Sequence, residues 1–315
     1  MSDKPAELLT PDAAGVERAA TLLRAGAPVA VPTETVYGLA ARADDAAAVA
    51  AIYRAKGRPD FNPLILHVPD IPAARALAEF DDRAERLAQA FWPGPLTLVL
   101  PLRPDAAITP AVTAGLPTIA LRCPAHPLMR AVLTAAGLPL AAPSANRSGA
   151  VSPTSAAHVA TSLGGRIPAI LDGGTCESGV ESTIVALRAD GSWQLLRHGP
   201  VPQGALAALL GRSPVSLTDA RIEAPGQLAS HYSPGKPLRL QATSADTDEY
   251  WIGFGPLPGD TSLSATGDLA EAAARLYAAL HLAAAAPQPR VAVAPVPEEG
   301  VGAAINDRLR RAAAG

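Results

Sequence analysis

The chain has 315 residues, a formal net charge of -3, 49% hydrophobic residues and 17% charged residues. At roughly 150 residues per domain, this length predicts about two domains with enough chain to bury a core. The charge excludes a protein that holds nucleic acid mainly by bulk electrostatic attraction, because such binding needs a clear cationic excess.

The N-terminal residues predict neither a signal peptide nor a membrane anchor. The opening MSDKPAELLTPDA has acids and a proline where a signal peptide has a basic end and an apolar run. No stretch of the sequence approaches the ~18 unbroken apolar residues of a membrane span. Two cysteines, Cys123 and Cys176, are too few for a disulfide scaffold and are typical of free buried thiols in a reducing compartment. We therefore expect a soluble, cytoplasmic protein.

The first predicted helix begins at Thr10, which we expect to cap it, with Pro11 in its first turn and Gly26 after its last. Apolar runs predict strands at 28–32, 64–68, 96–102, 118–122 and 169–172. Helices are predicted at 44–56, 82–91, 127–136 and 155–163, and a hairpin at 182–187 and 193–197. Strands that alternate with helices, with some hairpin pairing, predict an α/β fold with a sheet of mixed direction.

Patterned apolar content stops after a predicted helix at 204–210. The stretch 212–237 contains several glycines and prolines and predicts an interdomain linker between residues 1–211 and a small α/β domain at 238–315. That domain has an apolar strand at 251–255, an alanine-rich helix from Asp268, a strand at 291–296 and a terminal helix.

Common catalytic signatures are absent from the sequence. The single Gly-Lys pair, Gly235-Lys236, is followed by Pro237, so the sequence has no Walker-type phosphate loop. The six histidines form no HExxH zinc motif, and no serine lies in a G-x-S-x-G elbow. An enzyme with this sequence works without the usual nucleophile and metal-site motifs.

Three polar loops, at 32–40, 56–68 and 142–154, carry the candidate binding groups. We expect each loop to follow an apolar strand, where open α/β sheets place ligand groups. Lys56 and Arg58 supply cations in the second loop, and the third supplies neutral donors. Together they have the composition of a polyphosphate site without a phosphate loop. The alternative is that the two cations only stabilise a helix end and that the serines only form turns.

Arg122 ends a predicted core strand, so its guanidinium needs an anionic partner. A ligand carboxylate suits its fork geometry. An internal Asp or Glu is the equal alternative.

Five motifs, in chain order, resemble the YrdC-type threonylcarbamoyl-adenylate synthase family. They are PTETVYGL (32–39), KGRP with NPL (56–64), FWPGPLT (91–97), PSAN (143–146) and ESTIV (181–185). HYSP (231–234) and GVGAAINDRL (300–309) resemble the long form of that family, which adds a linker and a C-terminal domain. The resemblance implies a twisted mixed sheet with helices, followed by a small Rossmann-like α/β domain.

The family's activity is the synthesis of threonylcarbamoyl-AMP and pyrophosphate from L-threonine, bicarbonate (or CO₂) and ATP. The resemblance therefore implies a nucleotidyltransferase, with Mg²⁺ on the ATP phosphates, no organic cofactor and no metal ligand from protein side chains. The product is expected to supply a threonylcarbamoyl transferase machinery that acts on tRNA. We expect no membrane partner and, at most, a weak contact with RNA.

The family's site positions correspond to residues of matching type in this sequence. The resemblance implies that L-threonine is bound by Thr35, His67, Arg122, Ala142 and Ser182. It implies nucleotide binding by Lys56, Arg58, Asn62, Thr118, Ser144, Asn146, Ser152, Arg197 and Tyr232. Its implied catalytic group is Lys56, Arg58, Ser144 and Asn146. Without the resemblance, Ser182 suits a half-buried strand position and His67 a core position.

Tyr232 lies in the predicted linker, far along the chain from the other nucleotide residues. We expect this segment to fold over ATP as a lid that limits water access to the carbamate. The alternative is a linker anchor packed on the surface. Two other functions remain open: a carbamoyl-adenylate enzyme, which two cysteines disfavour, and an RNA-binding module of the same fold without synthase activity, which the net charge disfavours.

Overall fold

The computed structural model describes residues 5–59, 61–215, 223–226 and 230–315. In this part of the chain, ten strands form a large sheet in the order β1-β8-β2-β3-β7-β4-β6-β5-β9-β10. These strands are β1 (Glu7–Leu9), β2 (Val29–Val31), β3 (Gly38–Arg42), β4 (Ile65–His67), β5 (Leu96–Pro101), β6 (Thr118–Arg122), β7 (Leu140–Ala141), β8 (Ala169–Leu171), β9 (Thr183–Leu187) and β10 (Trp193–Arg197). Parallel and antiparallel neighbours are both present, which confirms the predicted mixed sheet.

Seven helices accompany the large sheet in the described chain. They are α1 (Ala13–Arg24), α2 (Ala46–Lys56), α3 (Ile71–Arg75), α4 (Asp82–Phe91), α5 (Pro127–Ala136), α6 (Ala156–Leu163) and α7 (Gln203–Leu210). The predicted cap of α1 is wrong: the Asp12 side chain accepts the amide hydrogen of Gly15 at 2.9 Å, so the helix begins at Ala13 rather than near Thr10. An aspartate at this position both caps the helix and faces its positive end.

The parallel pairing of β4 and β6 positions the candidate site. Its register places His67 opposite Arg122 at the carboxyl ends of the two strands. Side chains at these ends therefore reach the same edge of the sheet. Apolar residues such as Leu66 and Leu121, buried on both strands, hold the pair in place, each by roughly 1.5–3 kcal/mol.

The sequence does not predict β1, β3, β7 or α3, whereas β2, β4 and β8, of three residues each, lie in the predicted apolar runs at 28–32, 64–68 and 169–172. The polar loop at 32–40 contains the start of β3, since Gly38 pairs with Val31 of β2. The loop at 56–68 follows α2 rather than a strand and leads into β4, which corrects the expectation that all three polar loops follow strands.

A small sheet, in the order β11-β14-β12-β13, forms the C-terminal unit, called here the small-sheet unit (238–315). Its elements are β11 (Leu238–Arg239), β12 (Glu249–Gly253), β13 (Thr261–Ser262), α8 (Leu269–Ala285), β14 (Arg290–Val293) and α9 (Gly302–Ala313). All its described strand pairs are parallel, as expected for a Rossmann-like arrangement. No helix in the described ranges is long and apolar enough to cross a membrane.

The small-sheet unit packs against loops of the large-sheet part through an apolar cluster. Val36, Val151 and Val180, from three loops, are buried in one cluster with Leu276 of α8 and Ile305 of α9. These loops also border the cavity described below, so α8 and α9 support its wall.

Candidate functional site

A cavity lies where the loops after β2 and β7 meet the carboxyl ends of β4, β6 and β10. It encloses about 550 Å³ of space not filled by atoms, including the part open to solvent. The predicted site residues that line it are Thr35, Arg58, His67, Arg122, Ala142, Ser144, Ser182, Arg197 and Tyr232. Residues from six separate segments of the sequence therefore meet at one place.

Arg122 is buried at the end of β6 and pairs with an internal acid. Its Nη2 lies 2.7 Å from Oε1 of Glu34, and its Nε donates to the Gly94 carbonyl at 3.3 Å. The Nη2 hydrogens are not aligned with an acceptor among the described residues, and both carboxylate oxygens of Glu34 also lack an aligned donor. Burial raises the pKa of Glu34, but the charge of Arg122 and the other favourable interactions of the carboxylate together outweigh it, and the pKa lies below its ordinary value. The pair is ionised and retains hydrogen-bonding capacity on the guanidinium.

His67 is buried beside Arg122 as a neutral imidazole. Burial, together with the Arg122 charge, lowers its pKa to about 3. Neither ring nitrogen makes an aligned hydrogen bond with the described part of the chain. A buried polar group without a partner costs stability, so the ring is available to a ligand that supplies one.

Ser182 and Arg197 also line the cavity and form a fixed hydroxyl–guanidinium pair. Arg197 donates from Nε to the Ser182 carbonyl at 2.9 Å and from Nη2 to its Oγ at 3.0 Å, and Thr97 Oγ1 lies 2.7 Å from the same Oγ. The register of β9 and β10 shifts between Leu195 and Arg197, a bulge of the kind that redirects a side chain. Burial lowers the pKa of Arg197 but leaves the group cationic at neutral pH.

Arg58 reaches the cavity from the loop after α2. Its Nη2 donates to the Pro63 carbonyl at 3.1 Å, and burial lowers its pKa to about 10. Lys56 lies behind the wall: its Nζ donates to the carbonyls of Ser144 and Asn146, at 2.5 and 2.6 Å. Burial and the Arg58 charge lower the pKa of Lys56 well below its ordinary value. Lys56 therefore shapes the loop that presents Ser144.

The remaining predicted nucleotide residues do not line the cavity. Asn62, Asn146 and Ser152 are buried just behind its wall. Thr118 lies at the opposite end of β6 from Arg122, about 13 Å away at ~3.3 Å per residue. Thr118 does not line the cavity, and its role in nucleotide binding stays a prediction.

The segment around Tyr232 covers one side of the cavity. Tyr232 is buried with a φ of 66°, and the amide of Ser233 donates to the Gly149 carbonyl at 2.9 Å. Pro225 and Gly226 from the same predicted linker also line the cavity. Tyr232 is therefore part of the cavity wall and is not an anchor packed on the outer surface. Opening and closing of the segment stays a prediction, as do the domain limits, because 216–222 and 227–229 lie outside the described residues.

Two acids of the site, Glu34 and Glu181, have no role in the sequence-based prediction. Both lie within motifs that carry the resemblance, PTETVYGL and ESTIV, and that is the signal that could have identified them. Glu181 is the one carboxylate among the described cavity-lining residues. No group of three or more His, Cys, Asp or Glu side chains in the described ranges could hold a metal ion.

Two family models match most of the chain. The family model described as "Telomere recombination", for the Sua5, YciO and YrdC proteins, matches residues 21–199. The model described as "Threonylcarbamoyl-AMP synthase, C-terminal domain" matches residues 201–314.

The matches to two curated relatives and to one solved structure each cover more than nine-tenths of this chain and of the matched protein. A threonylcarbamoyl-AMP synthase of Bacillus subtilis is 42% identical over 95% of this chain and 93% of its own, and one of Pyrococcus abyssi is 38% identical over 93% and 92%. The crystal structure of P. abyssi Sua5 complexed with L-threonine has a TM-score of 0.88 at 35% identity and covers 98% of this chain and 97% of that one. The chain belongs to the family of Sua5, YciO and YrdC proteins, in the form that has the additional C-terminal domain.

Proposed function

We propose that this chain is an L-threonylcarbamoyladenylate synthase, an enzyme that makes threonylcarbamoyl-AMP and pyrophosphate from L-threonine, bicarbonate or CO₂, and ATP. The observation that carries the proposal is one cavity lined by Arg58, His67, Arg122 and Arg197. The ring nitrogens of buried His67 have no hydrogen-bond partner among the described residues. Relatives of similar length carry the same activity in their names.

The Arg122 side is the proposed threonine site. A guanidinium fork binds a carboxylate through two charge-assisted hydrogen bonds, and the guanidinium of Arg122 lines the cavity while Glu34 pairs with one of its nitrogens. Neutral His67 and the hydroxyl of Thr35 offer hydrogen bonds to the amino acid's polar groups. The relative from P. abyssi was crystallised with L-threonine, which supports this amino acid as the substrate.

The Arg58 and Arg197 side is the proposed nucleotide site. Two cations with a Ser144 hydroxyl nearby suit the negative charge of a triphosphate. This side is shaped by Asn146 and Ser152, which are buried behind the cavity wall, and by Tyr232, which covers the cavity. Lys56 stays a catalytic candidate. Its structural role is to hold the carbonyls of Ser144 and Asn146 by hydrogen bonds.

The reaction needs positioning rather than a protein nucleophile. The threonine amine forms a C–N bond to CO₂ with loss of a proton, or to bicarbonate with release of water, and gives a carbamate. A carbamate oxygen then attacks the α-phosphorus of ATP, the bond to the β-phosphate oxygen breaks, and pyrophosphate leaves. Fixed cations that stabilise charge on the phosphates, together with reactants held in contact, supply the catalysis.

Mg²⁺ is the expected companion of ATP. The cavity fits an ion bound mainly by phosphate oxygens, because Glu181, its one described carboxylate, already accepts three hydrogen bonds. When bound, the ion would neutralise phosphate charge. The protein's own part would be to bind the remaining phosphate oxygens through Arg58 and Arg197.

Two alternatives are not favoured. An RNA-binding module without synthase activity would not account for synthase names among relatives that match over 92–93% of their length. A carbamoyl-adenylate enzyme is not favoured, because the full-length HypF structure shares 19% identity and indicates a shared fold alone, whereas the synthases of B. subtilis and P. abyssi share 42% and 38% over nearly their whole length. We propose that the product passes to a transferase that modifies tRNA.

The test is pyrophosphate release from ATP by the purified chain, with bicarbonate and each amino acid in turn. We expect release with L-threonine that disappears when bicarbonate or threonine is omitted, and a product with the mass of threonylcarbamoyl-AMP. Release with no dependence on an amino acid, or RNA binding without release, would refute the proposal.

A further inference from the structure

A buried carboxylate, Glu181, joins the two parts of the chain at the cavity wall. Its Oε1 accepts a hydrogen bond from the Ser152 hydroxyl at 2.6 Å. Its Oε2 accepts from the Tyr277 hydroxyl at 2.8 Å and from Arg308 Nε at 2.9 Å. Tyr277 lies on α8 and Arg308 on α9, so two of these three donors come from the small-sheet unit.

Glu181 is ionised in spite of its burial. Burial raises its pKa, but the charges of Arg308 and Arg197 and the hydrogen bonds outweigh it and hold the pKa at about 2. Arg308 is itself fully buried, and its Nη1 donates to Asp307 Oδ2 at 2.7 Å. Two buried opposite charges remain stable only while each keeps the other as a partner. The position of Glu181 therefore depends on α9.

The same two helices hold two predicted nucleotide residues. The Arg308 guanidinium lies 5.5 Å from the centre of the Tyr232 ring, and the rings of Tyr232 and Tyr277 stack with centres 5.6 Å apart. His281 of α8 makes a hydrogen bond through Nε2 with the Ser152 carbonyl at 3.1 Å. Ser152 and Tyr232 are thus fixed from the small-sheet unit.

Arg122 and His67, on the threonine side, have a different support. The described contacts of Arg122 are with Glu34 and Gly94, both in the large-sheet part. His67 lies on β4 of the large sheet. A disturbance at α8 or α9 should therefore reach the nucleotide side first.

We propose that Tyr277 and Arg308 are positioning residues for ATP, which act from the small-sheet unit by fixing Glu181, Ser152 and Tyr232. They do not line the cavity, so they act through these three neighbours. The inference rests on the proposed function, since it takes ATP as the ligand. It also gives the C-terminal unit a role: to complete the nucleotide side of a site built mainly by the large sheet.

The test compares Tyr277→Phe, Arg308→Met and Glu181→Gln with Arg310→Met. Arg310 lies on the same helix as Arg308, but its ion pair with Glu298 is exposed, so it is a matched control. We expect the KM for ATP to rise at least threefold in Y277F and tenfold in R308M, with the KM for threonine within twofold. In a double-mutant cycle, E181Q/R308M should bind ATP better than the product of the single effects predicts, because it removes the buried charge together with its partner.

An unchanged KM for ATP in Y277F and R308M, an equal rise in both KM values, or additive effects in the cycle would overturn the inference. Circular dichroism and thermal melting check that the variants fold. If R308M does not fold, the KM for ATP of Y277F decides the inference, since Y277F removes only one hydroxyl group. Calorimetric titration with ATP and Mg²⁺, without threonine, separates the two proposals. If the unmodified chain binds ATP but makes no product, the proposed function fails, and the ATP affinities of the variants still decide the inference.

Discussion

Replacing Arg122 by lysine tests the threonine site while leaving the Glu34 charge with a partner. The guanidinium has Nη2 at 2.7 Å from Glu34 and Nε on the Gly94 carbonyl, so the fork is held in place for a second anion. Lysine keeps the positive charge but loses the two-pronged geometry that a carboxylate matches. The variant should therefore fold and bind threonine poorly.

The expected loss is one charge-assisted hydrogen bond, worth roughly 1.5–3 kcal/mol. At about 1.4 kcal/mol per decade, this raises the KM for threonine about 10- to 150-fold. The KM for ATP should stay within about twofold, because Arg58 and Arg197 are unchanged. Steady-state pyrophosphate release at varied threonine and ATP measures both constants. Arg103→Lys, which alters an exposed pair with Asp105, is the control. A normal KM for threonine in R122K, or a rise confined to ATP, would refute the reasoning.

Three further changes test other parts of the account. His67 has a folded-state pKa of about 3, below its unfolded value of about 6.5, so the free energy of unfolding should fall as pH drops from about 6.5 to 3. His67→Gln should flatten the melting temperature in that pH range, and an identical profile of melting temperature against pH would contradict a buried neutral ring. Gly179→Ala should lower the melting temperature and weaken ATP binding, because a Cβ there lies 2.3 Å from the Ala273 carbonyl of α8. Gly174 has a similar positive φ but open space around it, so an equal effect of Gly174→Ala would mean that backbone strain alone explains the result. Thr97→Val should raise the KM for threonine several-fold, because it removes one of the two hydrogen bonds that position the Ser182 hydroxyl and leaves only the bond from Arg197; an unchanged KM would contradict a role for this hydroxyl in binding threonine.

Long periodic segments of the fold are predictable from the sequence. The bounds of α4, α5, β6 and β10 agree with the sequence-based prediction, because each has a clear apolar pattern and a defined start or end. The three-residue strands β2, β4 and β8 lie in predicted apolar runs, whereas the short strands β1 and β7 are not predicted in this way. Their existence depends on pairing with strands far away in the sequence, as Glu7 pairs with Ala169.

The candidate site is predictable only as far as its motifs extend. The carboxyl ends of β4 and β6 lead to His67 and Arg122, and their parallel register brings the two together. The partner of Arg308 could not be predicted, because Glu181 lies 127 residues earlier in the chain and no local pattern links the two. A buried ion pair between separate sheets is decided by tertiary packing, which a single sequence does not display.

A crystal structure of the chain with L-threonine, bicarbonate and a non-hydrolysable ATP analogue tests the central claim most directly. We expect the threonine carboxylate on the Arg122 guanidinium and the phosphates between Arg58 and Arg197, in the same cavity and with the threonine nitrogen facing the α-phosphate. Arg122 bound to Glu34 alone, with the nucleotide at a separate place on the protein, would contradict the account.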